Sequence, residues 1–439
     1  MRKMLLIALA ITFCAGAAFA GGGQSAAKAA DGVIEVTIPH YKSGQNVGGA
    51  FFLPQVERFN QKYAGKYRLI IEELVQDMYA PKMQQLGQQG KLPALVEGGS
   101  YEWLTEFIIP NNMFADLKSL ADGTSDIKNL MVPESLAYNT VNGGKLFSVN
   151  FPVVRPIGLY YNPKLYQPPR SFAQMSWDEV SASLGDNKIA FMTGENAWTA
   201  VLVLSSLIAK EPGGPQWLAS GANANPRLTD YNNPIMISAV TKLQQLLQKH
   251  ASSNTLGAAY ADAANSFMST RSAIIANGPW MIGDFAPDAS AKWSNGFNGA
   301  DVRGDVFPGN VAVGGPPVGY GWWIPSTASA GEQELAKAFI AFIMSQDELE
   351  RYMLAEGGAS PRMTPSAGFL AERAKNKLMD EYVGAVNANT ILAYNIGDVI
   401  PHSVYQVEIG RLLPLLINGT LSPAQFCQEL TVKAKESAR

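Results

Sequence analysis

The stretch IIANGPWMIGDF, residues 274 to 285, runs apolar into Asn277, Gly278 and Pro279 and places Trp280 directly after the break. Trp280 is one of eight tryptophans in 439 residues. Two roles suit an indole in that position: a ring packed in a core, or a flat surface held at the rim of a pocket. Covalent chemistry finds little to work with elsewhere. The chain has no G-x-x-x-x-G-K-S/T, no H-E-x-x-H, no G-x-S-x-G and no C-x-x-C. His40, His250 and His402 are far apart and form no ligand pair at helical spacing, so they read as surface or capping residues. A glycosidase-type carboxylate pair leaves no local signature, and 37 acidic residues make a chance pairing cheap. The pattern favours a binding role, with no catalytic residue, cofactor or metal.

Composition narrows the class. Hydrophobic residues make up 47% and charged residues 16%, the latter below the ~25% usual for soluble domains. A net charge of -3 gives no basic field for nucleic acid. The length implies two or three domains. Residues 1–20 read as an export signal: Arg2 and Lys3, then MLLIALAITF, then Ala18-Phe19-Ala20 as the cleavage site. Residues 21–30 read as a flexible tether. Removing the signal leaves 34 - 2 = 32 basic against 37 acidic residues, a net -5. The expected location is periplasmic or extracytoplasmic. The alternative is a lipid anchor through Cys14, although Ile11-Thr12-Phe13 makes a poor lipobox. The longest apolar runs, such as AVLVLSSLIA, are about half the ~20 residues a membrane span needs. After cleavage only Cys427 remains, so no internal disulfide is expected.

The elements that must position Trp280 follow from periodicity. GVIEVTIPH alternates as a strand. FFLPQVERFNQKYAGK carries Phe52, Val56 and Phe59 at helical spacing. Residues 67–74 read as a second strand, and MYAPKMQQLGQQGKL as a second helix through Met83 and Leu86. Strand, helix, strand at this spacing predicts a parallel sheet covered by helices. Capping boxes mark helix starts at Ser176–Glu179, Ser329–Glu332, Ser345–Glu348 and Ser422–Gln425. The glycine- and proline-rich segment 309–328 reads as a lobe crossover or a binding loop.

Several segments, in order, resemble one family. They are PHYKSGQN and the helix after it; GKLPALVEGG, with Pro93-Ala94 where Pro-Asp is usual; FADLKSLAD; GGKLFSVNFPVVRPIGLYYNPKLY; SWDEV; STRSAIIANGPWMIG; and GYGWWIPSTASAGEQELAKAFIAFIMSQDELERYM. Their sequence is similar to the family 1 extracellular solute-binding proteins of bacterial ABC importers, which include maltodextrin-binding and glycerol-3-phosphate-binding proteins. The resemblance implies an α/β, two-lobe, type II periplasmic-binding-protein-like fold with a ligand cleft between hinged lobes. Lobe one would hold residues 31–153 and 312–348, and lobe two residues 158–308 and 354–439. The crossovers would be 154–157, 309–311 and 349–353.

The resemblance also implies site residues. Trp280 would stack on a pyranose ring, whose C–H face an indole covers while hydroxyls reach polar edges. Trp198 would be a second stacking ring. Lys42, Ser43 and Gln45 follow the first strand, where polar contacts are expected; a solvated loop is the alternative. Gly98, Gly99 and Tyr101 would let the backbone approach the ligand, or form a plain turn. Arg155 suits an anionic or hydroxyl-rich ligand, or an interlobe salt bridge. Tyr320, Trp322 and Trp323 sit in the glycine-rich strand, where alternation sends one tryptophan of the pair to the core. Arg362 lies in a loop that can close the cleft, or is a surface arginine.

The sequence therefore points to an exported monomer that captures a small-molecule solute, a sugar or small oligosaccharide, and docks on ABC permease membrane subunits. Three alternatives stand: a glycerol-phosphate-like anionic solute, a sensor feeding a chemoreceptor, and an exported glycan-active enzyme. A carboxylate pair across the cleft would be the structural cue for the enzyme.

Overall fold

The computed structural model describes residues 32–44, 48–222, 227–252, 254–315, 318–387 and 389–437. The export signal, the tether, Cys14 and Gln45 lie outside the described residues. Among the described residues, no helix is long and apolar enough to cross a membrane.

The first lobe starts with the strand Ile34–His40. Its β-branched residues suit extended backbone, and Val36 and Ile38 point into the core. Helix Gly49–Lys62 buries Phe52, Val56 and Phe59 on one face. It returns the chain to strand Tyr67–Glu73, which pairs parallel to the first, from Ile34↔Tyr67 to His40↔Glu73. This is the strand–helix–strand unit the spacing predicts. The lobe is completed from far along the chain. Strand Trp322–Trp323 pairs antiparallel with Val96–Glu97, and helix Ala330–Ile343 packs Leu335 and Phe339 into the same core as Val36 and Phe59.

The second lobe carries a four-stranded sheet in the order Ile189–Ala190, Ile274–Asn277, Gly158–Tyr161, Arg303–Asp305. Only the first pair is parallel; Gly158–Tyr161 runs antiparallel to both neighbours. The sheet is thus mixed, unlike the parallel strand pair that opens the first lobe. Gly158–Tyr161 enters from the other lobe and not through a helical crossover, so its direction is free to oppose its neighbours. Helix Trp198–Lys210 is buried on every side from Thr199 to Ala209, which explains a run that is apolar all round.

Caps form where the sequence places them, with one exception. Ser176–Glu179 and Ser329–Glu332 close reciprocal boxes, and Ser422 and Gln425 exchange both bonds. Ser345 makes no side-chain cap for helix Gln346–Glu356. Its intended partner Glu348 is buried and taken, bonding Arg58 twice at 2.7 Å and Gln55 at 3.1 Å. A buried carboxylate beside a guanidinium is worth more than a cap.

Isolated bridges pair Val154 with Ala359 and Ile157 with Val313. The described residues of segment 309–328 contribute to both cores and to the cavity wall. Val311–Val313 pairs with Ile391–Ala393 among second-lobe residues, Trp322–Trp323 belongs to the first lobe, and Val318 and Gly319 line the cavity between them. Residues 349–353 fall inside the continuous helix Gln346–Glu356.

Candidate functional site: a cavity between two aromatic walls

A cavity of about 740 Å³ lies between the lobes, within the size range of small-molecule sites. The first-lobe wall grows from the carboxyl ends of two strands, where open α/β sheets place ligands. Ile34–His40 delivers His40, and Val96–Glu97 delivers Glu97. The His40 ring is stacked, with centroids 5.0 Å from Tyr41, 4.6 Å from Phe52 and 5.3 Å from Trp322. Tyr41, Phe52 and Trp322 line the cavity.

Hydrogen bonds fix the state of His40. Its Nδ1 accepts from the backbone N–H of Lys42 at 3.0 Å, so Nε2 carries the proton and donates to Glu97 Oε2 at 2.9 Å. Burial, the largest influence, lowers the His40 pKa and keeps the ring neutral; Glu97 opposes this. Lys42 Nζ donates to the other carboxylate oxygen of Glu97 at 2.7 Å. Burial is also the largest influence on Glu97 and pushes its pKa up, but Lys42 and His40 together outweigh it and hold the carboxyl at about 2. Tyr79 Oη locks the Glu97 backbone, accepting from its N–H at 3.0 Å and donating to its C=O at 3.1 Å.

The second-lobe wall is built differently. Strand Ile274–Asn277 ends in a turn pinned from below. Tyr382 Oη donates to Asn277 O at 2.6 Å, and Tyr160 Oη donates to Gly278 O at 2.9 Å. A Cβ on Gly278 would fall 2.2 Å from the Trp280 indole, so only glycine fits beneath that ring. Pro279 then opens a short 3₁₀ turn. Trp280 is half-buried, lines the cavity and lies 6.3 Å from the Trp198 ring. Trp198 begins its helix after Glu195 and Ala197, both non-glycine residues in the left-handed region, at φ 48° and 53°. That conformation is costly and concentrates at functional sites.

Arg155 lies at the junction. Its guanidinium sits 4.8 Å from the Trp280 ring and 5.6 Å from Tyr352. Its Nη1 donates to Glu356 Oε2 at 3.3 Å. Burial raises the Glu356 pKa, and Arg155 and Lys42 pull against it.

Of the residues singled out from sequence, Trp280, Trp198, Lys42, Arg155 and Trp322 line this one cavity. Trp322 is 4% exposed and Trp323 is fully buried, its Nε1 donating to Gly98 O at 2.8 Å. The other described ones do not line the cavity. Ser43 is buried with its hydroxyl donated to His40 O. Gly98 and Gly99 form a positive-φ turn against Tyr320 and Trp103. Tyr101 stacks on Tyr320 at 6.3 Å. Arg362 is exposed and donates to Met131 O at 3.0 Å.

The histidine reading needs correction: His40 is 1% exposed and His250 fully buried. His250 finds its partners in Ser181 Oγ and Asn187 O, which satisfies it inside the core. No group of metal-holding residues occurs among the described residues. Three carboxylates line the cavity, Glu97, Glu195 and Glu356, and sequence reasoning missed them. For Glu97 and Glu356 a shared local signal was present: each stands directly before a Gly-Gly pair, and E-G-G occurs only at these two places. All four glycines have positive φ.

Two α/β lobes enclosing a cavity walled by aromatic rings and paired charges define a two-lobe binding protein. The chain belongs to the family described as bacterial extracellular solute-binding protein, which matches residues 55–377. Similar solved structures show the same fold. One is a chitin oligosaccharide binding protein, at 17% identity, TM-score 0.67, covering 92% of this chain and 99% of that one. A Streptococcus pneumoniae solute-binding protein in complex with the blood group A-trisaccharide gives 16% identity, TM-score 0.68 and coverage of 92% and 100%. The solute-binding protein RafE in complex with raffinose gives 17% identity, TM-score 0.64 and coverage of 93% and 100%. No curated protein matches the chain by sequence.

Proposed function

We propose that the protein captures a sugar or small oligosaccharide between its aromatic walls and delivers it to the membrane subunits of an ABC importer. The observation that carries this is the pairing of walls. Trp280 and Trp198 from one lobe and Trp322 and Tyr41 from the other line the same cavity. Flat rings suit the C–H faces of sugars, and Lys42, Glu97 and Asn150 supply polar edges. The ligands named for the similar structures, all carbohydrates, support the reading.

The cations of the site speak against an anionic solute. Lys42 is already paired with Glu97 and Arg155 with Glu356, so a phosphate would have to displace a carboxylate from each. Glu97, Glu195 and Glu356 all line the cavity, and a carboxylate pair is the cue expected of a glycan-active enzyme. Glu97 on the first-lobe wall and Glu356 at the lobe junction are instead each tied to their own cation, so we read them as binding walls and not as an acid and a base. The residues 154–157 and 357–359 form the hinge in this reading, and the protein works outside the cytoplasm.

A thermal-shift screen tests it. Raffinose, chitin oligosaccharides, xylan oligosaccharides and glycerol 3-phosphate are each added to the mature protein and to Trp280→Ala. A saccharide at about 100 times its Kd should add about 2.7 kcal/mol of stability by mass action, and the mutant should lose most of that shift. A shift with glycerol 3-phosphate alone, unchanged in Trp280→Ala, would overturn the carbohydrate reading. Hydrolysis of the added oligosaccharide would overturn the binding-only reading.

A further inference from the structure

Tyr101 and Tyr320, expected at the ligand, instead form a receiving surface on the first lobe. Their rings are nearly parallel at 20°, and Tyr138 lies 4.7 Å beyond Tyr320. From the second lobe, Arg227 places its guanidinium carbon 3.8 Å from the centre of the Tyr101 ring. This is the shortest cation–ring distance among the described residues. Arg227 is held from behind, its Nη1 donating to the carbonyls of Gly221, Ala222 and Asp398. The next residue, Leu228, is fixed to the second lobe through its N–H to Val399 O at 3.0 Å. The guanidinium is therefore a pre-positioned flat cation offered to an aromatic face of the opposite lobe. Neither Arg227 nor Tyr101 lines the cavity. Gly319, directly before Tyr320 of the same aromatic surface, does.

We infer that Arg227 on Tyr101 is a latch between the lobes, and that Arg227 is a positioning residue which sets ligand affinity without touching ligand. A contact made only when the lobes are together lowers the free energy of the closed form relative to the open one. A ligand that needs the closed form is then bound more tightly by the same factor. The inference rests on the two-lobe fold and not on which solute is bound.

The test is small-angle X-ray scattering of the mature protein without added ligand, comparing wild type with Arg227→Ala, Arg227→Lys, Tyr101→Leu and Tyr101→Phe. Circular dichroism confirms that each variant keeps its helical signal. Arg227→Ala and Tyr101→Leu should each shift the radius of gyration upward as the lobes part. Tyr101→Phe, which keeps the ring, should match wild type, and Arg227→Lys should fall between. Any saccharide found in the thermal screen should bind Arg227→Ala about three- to tenfold more weakly, the range a half-desolvated cation–ring contact gives. Equal radii for wild type, Arg227→Ala and Tyr101→Leu would overturn the latch. So would Tyr101→Phe behaving as Tyr101→Leu. Should Arg227→Ala not fold, Tyr101→Leu against Tyr101→Phe decides alone. The scattering arm reads the latch even if every saccharide fails to bind.

Discussion

The two walls of the cavity hold their aromatic rings by opposite means. On the first lobe, Trp322 is part of the core itself, 4% exposed and stacked on His40 and Phe52. The same wall carries an ion-paired network of Glu97, His40 and Lys42, all fixed by hydrogen bonds. On the second lobe, Trp280 and Trp198 are half-buried and stand on turns. Their positions depend on a glycine beneath one ring and on two left-handed residues before the other. One wall is rigid because folding makes it so. The other is rigid because local backbone strain is imposed by the structure around it. Binding and stability are therefore coupled on the first wall and separable on the second.

The largest effect should come from exchanging the walls' tryptophans. Trp322→Ala empties a core position and should cost about 3–5 kcal/mol of unfolding free energy in urea titration. Trp280→Ala should cost less than half of that, yet weaken saccharide binding by about 2 kcal/mol, roughly thirtyfold, in titration calorimetry. Equal stability losses for the two would erase the distinction between the walls.

Acid should separate the walls next. Glu97 sits at about 2, below its usual 4.5. A depressed carboxylate stabilises the fold above pH 4.5, and that contribution is lost as pH falls toward 2. The loss is on the order of 2–3 kcal/mol. Glu356 is shifted the other way, so its contribution grows as pH falls through its raised pKa. In Lys42→Met the acid-side loss of stability should shrink, because the cation that holds Glu97 down is gone. In Glu356→Gln it should steepen. An unchanged acid limb in Lys42→Met would show that the pair carries no stability.

The smallest effect belongs to the strained loop. Ala197→Gly removes a Cβ from a left-handed position. Released strain should exceed the entropy glycine adds to the unfolded chain, for a net gain of about 0.5 kcal/mol. A net loss would mean the loop is not strained.

Much of this was legible in the sequence. The βαβ unit of the first lobe, three of four capping boxes and the position of Trp280 after a chain break all follow from spacing and turn chemistry. What sequence order alone does not reveal is which distant segment fills a gap. The first-lobe wall needs Trp322, more than two hundred residues after Glu97, as its pairing partner. The same reason explains Tyr101 and Tyr320. Both lie near ligand-facing segments in the chain, but the fold stacks them on each other and sets Tyr101 against Arg227. Ser345 shows a second limit. Its capping box is complete in sequence and absent in the fold, because Glu348 meets a guanidinium from helix Gly49–Lys62. Glu97 and Glu356 were readable in principle. An acid before two glycines marks a charged side chain at an element's end with a backbone free to turn sharply.

Cys427 carries a practical consequence. It is a free cysteine, fully buried, and burial pushes its thiol up to about 12. Thiol reagents attack the thiolate, so Cys427 should stay silent in the folded protein. A cysteine introduced at exposed Val407, next to the cavity residue Gln406, would then be the thiol that takes a fluorophore. Its emission would report solute arrival directly, which makes the fold a ready scaffold for an optical sensor.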